Sequence, residues 1–301
     1  MQGVLIGMAP VGIVGLGLLG SAVAGRLRAA GRDVVGHDVV AERQRALEAI
    51  GGRAAASAAE VAETADPICI VLPSLAAVEE VVLGARGLAG AARGRTVVQM
   101  STISPALTER LARECAARGV GFLDCPISGT SAMVARGDGL VLAGGERTAF
   151  DRWRPVLESI LPRAVHVGRA GQAMVLKLVA NLLVAVHSAA AAEALSLARR
   201  AGLDLEVAFA VLTEGAAGSR MLEVRGPLMI RESFPPQMKL DLFMKDLHLI
   251  QEAAATVGSP VPLTNASERL YAAALQAGRG GEDLAVVMTA LGDRASTPGG
   301  P

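Results

Sequence analysis

The stretch VGIVGLGLLGSAVAGRL, residues 11–27, determines the fold expected for the first half of the chain. A short apolar run leads into three glycines with GxGxxG spacing, Gly15, Gly17 and Gly20, and a helical pattern follows. In such a strand–turn–helix the first glycine permits a tight turn, the second lets the backbone approach a pyrophosphate, and the third allows close helix–strand packing. The helix N-terminus then offers unpaired N–H groups to phosphates. The stretch therefore predicts a dinucleotide-binding loop.

A GxGxxG match alone is weak in a chain with 35 glycines, so its surroundings matter. Asp38 ends the next strand pattern, where an acid that binds the adenosine ribose is expected. This context disfavours a glycine-rich turn that serves packing alone. Asp38 would repel a 2′-phosphate and thus favours NAD, whereas nearby Arg43 and Arg45 keep NADP as the alternative. The predicted loop residues are Gly15, Leu16, Gly17, Leu18, Leu19 and Gly20.

Short apolar runs alternate with helical patterns across the first half of the chain. Strands that are apolar on both faces and separated by helices are typical of parallel sheets covered on both sides. The fold class predicted is therefore α/β, with an N-terminal Rossmann-type doubly wound parallel sheet. The strand candidates are residues 11–15, 33–38, 67–73, 96–100, 121–126, 140–145 and 165–168, and the helical candidates include 18–30, 41–50, 75–82 and 105–118.

Strand patterns stop after Gly168, and only helical patterns follow, which predicts an all-helical C-terminal domain. Its helical candidates are residues 172–201, 205–213, 221–230, 240–256, 263–277 and 284–291. We therefore assign residues 1–166 to the NAD(P)-binding domain and residues 167–295 to a substrate and dimerisation domain. The tail 296–301, STPGGP, is expected to be disordered, as are residues 1–7 if Met8 rather than Met1 is the natural start.

Composition excludes several classes of function. The 29 basic and 29 acidic residues form no basic stripe or tail, which argues against a nucleic-acid partner. Three widely spaced cysteines show neither a disulfide framework nor metal-ligand spacing, so no metal site is predicted and a reducing cytoplasm is expected. The uncharged stretch up to Gly25 lacks the leading Lys or Arg of a signal peptide, and its glycines make a poor spanning helix. No membrane association is therefore expected.

The segment GQAMVLKLVAN, residues 171–181, places Lys177 and Asn181 inside an otherwise apolar helical pattern. Residues four apart share one helix face, so the two side chains should point to the same place. The spacing alone leaves two interpretations open. Lys177 could lay its apolar stem along the surface while Asn181 is a satisfied interior amide, or both could serve a site. Asp124, at the end of the fifth strand pattern, is interpreted as structural, shaping a substrate loop.

Together the motifs resemble the β-hydroxyacid dehydrogenase family, which includes 3-hydroxyisobutyrate dehydrogenase and tartronate semialdehyde reductase. They occur in the family's order and cover nearly the whole chain. The matching segments are GLGLLGSAVAGRL (15–27), VLP (71–73), STISP (101–105), DCPISG (124–129), GRAGQAMVLKLVAN (168–181) and FMKDLHL (243–249). The resemblance implies an NAD(P)-dependent oxidoreductase that interconverts a small 3-hydroxy acid and its semialdehyde.

The resemblance also implies residue roles. Lys177 would be the catalytic general acid/base, and Asn181 its neighbour at the substrate. The implied substrate-binding residues are Ser128, Gly129, Thr130 and Thr102. The implied cofactor contacts beyond the glycine loop and Asp38 are Leu72, Pro73, Thr102 and Lys245, the last with Asp246 beside it. Thr130 departs from the family pattern, which has glycine there, so the choice of substrate is the property it affects.

A buried lysine suits this chemistry, because an exposed ammonium with a pKa near 10.4 is rarely a free base at neutral pH. Apolar neighbours such as Val175, Leu176 and Leu178 are expected to lower that pKa. Two alternatives stay open: an imine reductase-like enzyme, although that group generally lacks the lysine, and an NAD(P)-binding module without catalysis. A helix apolar on almost every side also needs further cover, which predicts a homodimer or homotetramer.

Overall fold

The computed structural model of the protein describes residues 9–292. The expectations for residues 1–7, for the start at Met8 and for the tail 296–301 lie outside the described residues. Within the described part the chain divides into two compact units, the first ending at Lys177 and the second beginning at Leu178. Each unit has its own hydrophobic core, and the predicted boundary at residue 166 stays a prediction.

The first unit is built on one sheet, and nine strands belong to it among the residues described. These are β1 Val11–Val14, β2 Val34–His37, β3 Arg53–Ala54, β4 Ile68–Ile70, β5 Thr96–Gln99, β6 Gly121–Asp124, β7 Ile127–Ser128, β8 Leu140–Gly145 and β9 Ala164–Gly168. The strand order is β3-β2-β1-β4-β5-β6-β8-β7, with β9 paired to β8. The order reverses between β1 and β4, which is the topological switch point of a doubly wound sheet.

The first six strands are parallel to one another, as predicted. Strand β8 departs from this direction, because it runs antiparallel to β6 and to β7. LVLAGG is apolar on both faces, so its composition could not reveal its direction. The α/β class with a Rossmann-type sheet is confirmed.

Helices cover both faces of this sheet. They are α1 Leu18–Ala29, α2 Ala41–Ala49, α3 Ala58–Thr64, α4 Leu75–Leu83, α5 Leu88–Ala91, α6 Pro105–Ala117, α7 Ser131–Ala135 and α8 Arg147–Ile160. Successive residues of one strand, such as Ile13 and Val14, enter two different core clusters, one on each face. The first cluster contains residues of α1, α7 and α8, and the second contains residues of α3, α4, α5 and α6. The predicted apolarity of both strand faces therefore has a direct structural cause.

Helix starts follow the local capping rules. Ser104 precedes α6, its hydroxyl accepts a hydrogen bond from the Leu107 N–H, and Pro105 occupies the first turn. Ser74 caps α4 in the same way through the N–H of Ala77. Such caps satisfy N–H groups that have no partner within the helix. The exception that matters for function is α1, whose N-cap Gly17 provides no side-chain cap.

Helix α9, Gln172–Arg200, begins in the first unit and continues into the second. The other helical segments of the second unit are α10 Leu205–Glu214, α11 Arg220–Ile230, α12 Leu240–Thr256, α13 Pro262–Gln276 and a 3-10 helix at Leu284–Leu291. From 178 to 292 the only strand-like pairing described is an isolated bridge between Lys239 and Asp283. The predicted helical second half is confirmed, with the last segment wound as a 3-10 helix.

In the part of the chain that the structure describes, α9 is the one helix long and apolar enough to cross a membrane by length and composition. Of its most apolar stretch, 44% is buried inside the protein. Core helices of globular proteins pass the same test, so length and composition alone are weak evidence for a membrane span.

Candidate active site

The predicted cofactor residues follow the carboxyl ends of neighbouring parallel strands. The glycine loop comes after β1, Leu72 and Pro73 come after β4, and Thr102 comes after β5. Strand β4 pairs with both β1 and β5, so these three segments leave the same edge of the sheet. Ligands of open α/β sheets bind at this edge where the strand order reverses. The fold therefore brings together residues that are up to eighty-seven positions apart.

The three glycines of the loop have different surroundings. Gly15 has a φ of +96°, and a Cβ there would stand 2.1 Å from the carbonyl oxygen of Val71. A Cβ on Gly20 would stand 1.9 Å from the carbonyl oxygen of Gly15. Gly17, by contrast, has nothing within 4 Å of its Cβ position. Gly15 and Gly20 thus allow the backbone to close up, whereas Gly17 leaves space beside the uncapped start of α1, as a pyrophosphate requires.

Asp38 is buried and holds the loop directly. Its Oδ2 accepts from the Leu16 N–H at 2.7 Å, its Oδ1 accepts from the Val40 N–H at 2.9 Å, and the Arg43 guanidinium lies 3.3 Å from both oxygens. Burial opposes ionisation, but the backbone hydrogen bonds and Arg43 outweigh it, so the pKa of Asp38 lies below its usual value. The carboxylate is therefore charged at neutral pH. The Leu16 N–H donates to this carboxylate. Leu16 therefore contributes to the site by holding Asp38 in place, because its N–H has no hydrogen left for a ligand.

Ser101 was not among the predicted residues, yet it shapes this edge. Its hydroxyl accepts from the Leu72 N–H at 2.8 Å, and its own N–H donates to Gln99 Oε1 at 2.6 Å. Gln99 in turn donates from Nε2 to the Ser101 carbonyl oxygen at 2.7 Å. These bonds join the segments after β4 and β5 and so fix the backbone on either side of Leu72 and Thr102. Position inside the STISP segment was the one signal that could have identified it.

Lys177 and Asn181 lie one turn apart on α9, and both are buried, with 8% and 3% of their surface exposed. Burial at this level argues against a lysine that merely lays its stem along the surface. Leu178 is buried beside them, but Val175 and Leu176 are 46% and 41% exposed. Val175 and Leu176 are therefore exposed side chains, and the expected effect of the apolar neighbours on Lys177 stays a prediction.

In the second unit, Asn181 belongs to a short polar chain. Its Nδ2 donates to Asp246 Oδ2 at 2.8 Å, and Lys245 Nζ lies 2.9 Å from Asp246 Oδ1. An ionised carboxylate only accepts, so it fixes which side of the amide carries the nitrogen. The Asn181 side-chain oxygen thereby faces away from Asp246 and can accept a hydrogen bond. The structure thus brings Asn181, Asp246 and Lys245 together.

The predicted substrate segment follows β7, which ends at Ser128. Ser128 and Gly129 are half-buried, and Thr130 is buried. Thr130 is the N-cap of α7, and its hydroxyl accepts from the Met133 N–H at 3.2 Å. Thr130, which replaces the family's glycine, therefore caps the start of a helix. This capping role explains how the loop accommodates a threonine at this position.

Asp124, interpreted above as structural, makes its hydrogen bonds to a distant helix start. Its Oδ2 accepts from the N–H groups of Gly171 and Met174, both at 3.0 Å, at the start of α9. Its side chain therefore contacts the helix that carries Lys177, and its effect on the substrate loop stays a prediction. Burial raises the pKa of Asp124 to about 7, despite the two hydrogen bonds, which favour the charged form.

The raised pKa of Asp124 predicts a pH-dependent difference in stability. The native state holds the proton up to about pH 7, whereas the unfolded chain loses it near 3.8. The free energy of unfolding of the wild type, minus that of Asp124→Asn, should therefore fall by on the order of 4 kcal/mol as pH rises from about 4 to 7, and stay level above. Urea denaturation at stepped pH measures this difference.

Exposed Glu63 provides the control for that measurement. The same difference for Glu63→Gln should change by less than about 0.5 kcal/mol across the range. A flat difference for Asp124→Asn would show that the native and unfolded states bind the Asp124 proton equally well.

Among residues 9–292, no three His, Cys, Asp or Glu side chains are grouped to hold a metal ion. The buried cysteines Cys69, Cys115 and Cys125 are free thiols.

Two protein-family models match the chain. The NAD binding domain of 6-phosphogluconate dehydrogenase matches residues 10–168. The NAD-binding domain of NADP-dependent 3-hydroxyisobutyrate dehydrogenase matches residues 171–291. Together they cover both halves of the molecule, and both describe dehydrogenases that use a nicotinamide cofactor.

Similar proteins point the same way. The chain is 34% identical over 234 residues to L-threonate dehydrogenase of Escherichia coli O6:H1, covering 77% of this chain and 78% of that protein. It is 34% identical over 226 residues to 2-hydroxy-3-oxopropionate reductase of Escherichia coli K12, covering 75% and 77%. The crystal structure of 3-hydroxyisobutyrate dehydrogenase from Salmonella typhimurium superposes with a TM-score of 0.86 at 35% identity, covering 93% of this chain and 99% of that one. The chain belongs to the β-hydroxyacid dehydrogenase family, and it is an NAD(P)-dependent oxidoreductase that interconverts a small hydroxy acid and its semialdehyde.

Proposed function

We propose that the chain oxidises a short-chain hydroxy acid such as threonate or glycerate, and reduces the matching carbonyl compound, with Lys177 as general acid/base. The observation that carries this proposal is the burial of Lys177 and Asn181 one turn apart on α9, at 8% and 3% exposure. Removing an ammonium from water is costly, and a helix that needed only packing would have an apolar residue at this buried position.

The chain's residues divide the work of the reaction. In the oxidation, Lys177 Nζ in its neutral form takes the proton from the substrate hydroxyl, and in the reduction the ammonium returns it. Asn181 Nδ2 donates one of its two N–H groups to Asp246, and the other would donate to the oxygen of that hydroxyl, which leaves the hydroxyl proton for the lysine. The nicotinamide cofactor, when bound, supplies the hydride chemistry, so the carbinol carbon loses two electrons with its hydrogen.

The remaining predicted residues would hold the ligands. Ser128, Gly129 and Thr130 would bind the substrate carboxylate, and Thr102 would lie at the substrate and the nicotinamide. Leu72 and Pro73 would contact the cofactor, with Lys245 close to it. The support is their position: the first group follows β7, and the loop of Leu72 follows the central strand β4.

We propose that NAD is the preferred cofactor. The pKa of Asp38 lies below its usual value, so the carboxylate is charged where the adenosine ribose of a dinucleotide is expected, and it would repel a 2′-phosphate. Arg43 weakens the discrimination, because its guanidinium contacts Asp38 and its side chain is 48% exposed. NADP is therefore proposed as the weaker alternative.

The test is a spectrophotometric screen at 340 nm with NAD and NADP separately. The substrates are 3-hydroxyisobutyrate, glycerate, 3-hydroxypropionate, γ-hydroxybutyrate and threonate. We expect kcat/KM for threonate or glycerate to exceed the others by at least about tenfold, and NAD to exceed NADP by a similar factor. Turnover of cyclic imines alone would replace this proposal with imine reduction.

We further propose that residues 1–166 form the cofactor domain, that the enzyme is a cytoplasmic homodimer or homotetramer, and that it binds neither nucleic acid nor membrane. The support for self-association is one exposed face of α9. Four apolar side chains lie on it, each between 41% and 51% exposed: Val175, Leu176, Val179 and Leu183. Burying such side chains against another subunit is favourable.

A further inference from the structure

We propose that Asp124 is a positioning residue for Lys177: from the end of β6 its carboxylate caps α9 and fixes the part of the helix that carries the lysine. The inference rests on the proposed role of Lys177. Asp124 itself contacts backbone N–H groups of the helix, so it acts through α9 rather than on the substrate.

Helix α9 cannot supply its own cap. Gly171 precedes its first residue and has a φ of +91°, a conformation that residues with a side chain rarely adopt. A Cβ at Gly171 would also stand 2.9 Å from Cγ of Glu109. The position that usually carries a capping Ser, Thr, Asp or Asn is therefore restricted to glycine, and the first turn needs an acceptor from elsewhere.

Asp124 supplies that acceptor from a distant strand. Its Oδ2 accepts from Met174 N–H, the third residue of the helix, which is the N–H that a capping side chain normally binds. The same oxygen accepts from Gly171 N–H. A carboxylate at a helix N-terminus also interacts favourably with the helix dipole. The strand end and the helix start are thus joined through two N–H groups.

A second contact fixes the helix start from β8. Gly144 of β8 pairs with Asp124 of β6 in the antiparallel ladder. A Cβ on Gly144 would stand 2.7 Å from the Arg169 carbonyl oxygen and 3.3 Å from the Ala173 nitrogen. The absence of a side chain therefore allows the backbone that leads into α9 to lie directly on the sheet edge.

This junction controls Lys177 because the two are so close along the helix. Lys177 follows Met174 by three residues, which corresponds to about 4.5 Å of rise. A slip or rotation of the first turn is transmitted to the lysine with little loss, and misplacing a catalytic group by about 1 Å can reduce the rate about 100-fold. Met174 and Ala173 are fully buried, so the first turn has no alternative seat at the surface.

Asp124 is also an unfavourable choice for packing alone. It is fully buried, and among the described residues its Oδ1 has no hydrogen-bond partner. Burying a carboxylate with one unsatisfied oxygen costs free energy. We infer that Asp124 occupies this position despite the cost because it fixes the start of α9.

The experiment compares Asp124→Ala, Asp124→Asn and Gly144→Ala in the full-length protein. Steady-state assays give kcat and KM, NADH fluorescence gives cofactor affinity, and hydrogen–deuterium exchange reports on peptides that cover residues 169–177. We expect Asp124→Ala to lower kcat by roughly 100-fold, with cofactor Kd within about threefold of wild type and faster exchange in these peptides. The amide oxygen of Asp124→Asn still accepts from the helix, so this variant should stay within about fivefold of wild-type kcat.

Gly144→Ala tests the same junction without altering any polar group. Its methyl group should displace the backbone before α9 and lower kcat by at least about tenfold at unchanged cofactor affinity. If Asp124→Ala does not fold, Asp124→Asn and Gly144→Ala decide the matter through the same measurements. Wild-type kcat in Gly144→Ala or in a folded Asp124→Ala would overturn the proposal, as would a loss of kcat with unaltered exchange.

Failure of the proposed function would look different. If Lys177→Ala kept normal turnover, the lysine assignment would be wrong, while exchange in residues 169–177 would still show whether Asp124 holds the helix start. Loss of kcat in Lys177→Ala combined with a fully active Asp124→Ala would reject the positioning role alone.

Discussion

Lys177→Ala is expected to lower kcat by at least about 1,000-fold while the Kd for NADH stays within about threefold of wild type. The reason is a separation of tasks along the chain. The cofactor loop follows β1, whereas the lysine lies on α9 and is 8% exposed. Removing it takes away the proposed proton donor and acceptor and leaves the glycine loop and Asp38 unchanged. Steady-state assays and fluorescence titration measure the two effects separately.

Two further variants sharpen this test. The protein has two other lysines besides Lys177, and half-buried Lys239 provides a matched control, since Lys239→Ala should keep full kcat. Lys177→Arg retains the charge but cannot release a proton at neutral pH, so it should be nearly as inactive as Lys177→Ala. High activity in Lys177→Arg would show that the cation acts through its charge and not as an acid or base.

Local sequence patterns were sufficient to predict the central strands and the long helices. Strands β1, β4, β5 and β6 are buried on both faces, so they appear as short apolar runs, and their neighbours along the chain show helical periodicity. Strands β3 and β7 have two residues each, too few for any period to show. Helix α8 is not among the helical candidates named above; five of its apolar side chains are buried, and Pro155 inside it is a residue type that usually breaks helices.

The candidate site likewise combines features that the sequence predicts with features that only the fold creates. The shared face of Lys177 and Asn181 follows from their spacing of four on one helix, so the sequence predicts it directly. The bonds from Asp124 to Gly171 and Met174 join residues 47 and 50 positions apart, and the bond from Asn181 to Asp246 spans 65. No local pattern carries such pairs, because they exist only once strand ends and helix starts are placed by the fold. The pairing of Arg43 with Asp38 joins residues only five positions apart, although from the sequence Arg43 was connected only with the choice between NAD and NADP.

Gly20→Ala and Gly17→Ala are expected to fail in opposite ways, although both lie in the same loop. A Cβ on Gly20 would stand 1.9 Å from the Gly15 carbonyl oxygen, a backbone atom that no rotamer change can move away. We expect Gly20→Ala to lose about 3 kcal/mol or more in free energy of unfolding. Gly17 has nothing within 4 Å of its Cβ position and a φ of −66°, so its substitution should change stability by less than about 0.5 kcal/mol.

The effects on cofactor affinity, measured on the folded protein, should have the opposite order, with Gly17→Ala weakened more than Gly20→Ala. The space beside Gly17 is where the backbone must come close to a pyrophosphate, so the methyl group of Gly17→Ala should raise the Kd for NADH at least about tenfold. Urea denaturation and fluorescence titration of both variants separate folding from binding. Wild-type NADH affinity in Gly17→Ala would mean that the pyrophosphate does not approach at this point, and a stable Gly20→Ala would mean that the loop can open around the new methyl group. If both variants behave as expected, the two glycines serve different purposes: Gly20 lets the turn close on the sheet, and Gly17 leaves space for the phosphates.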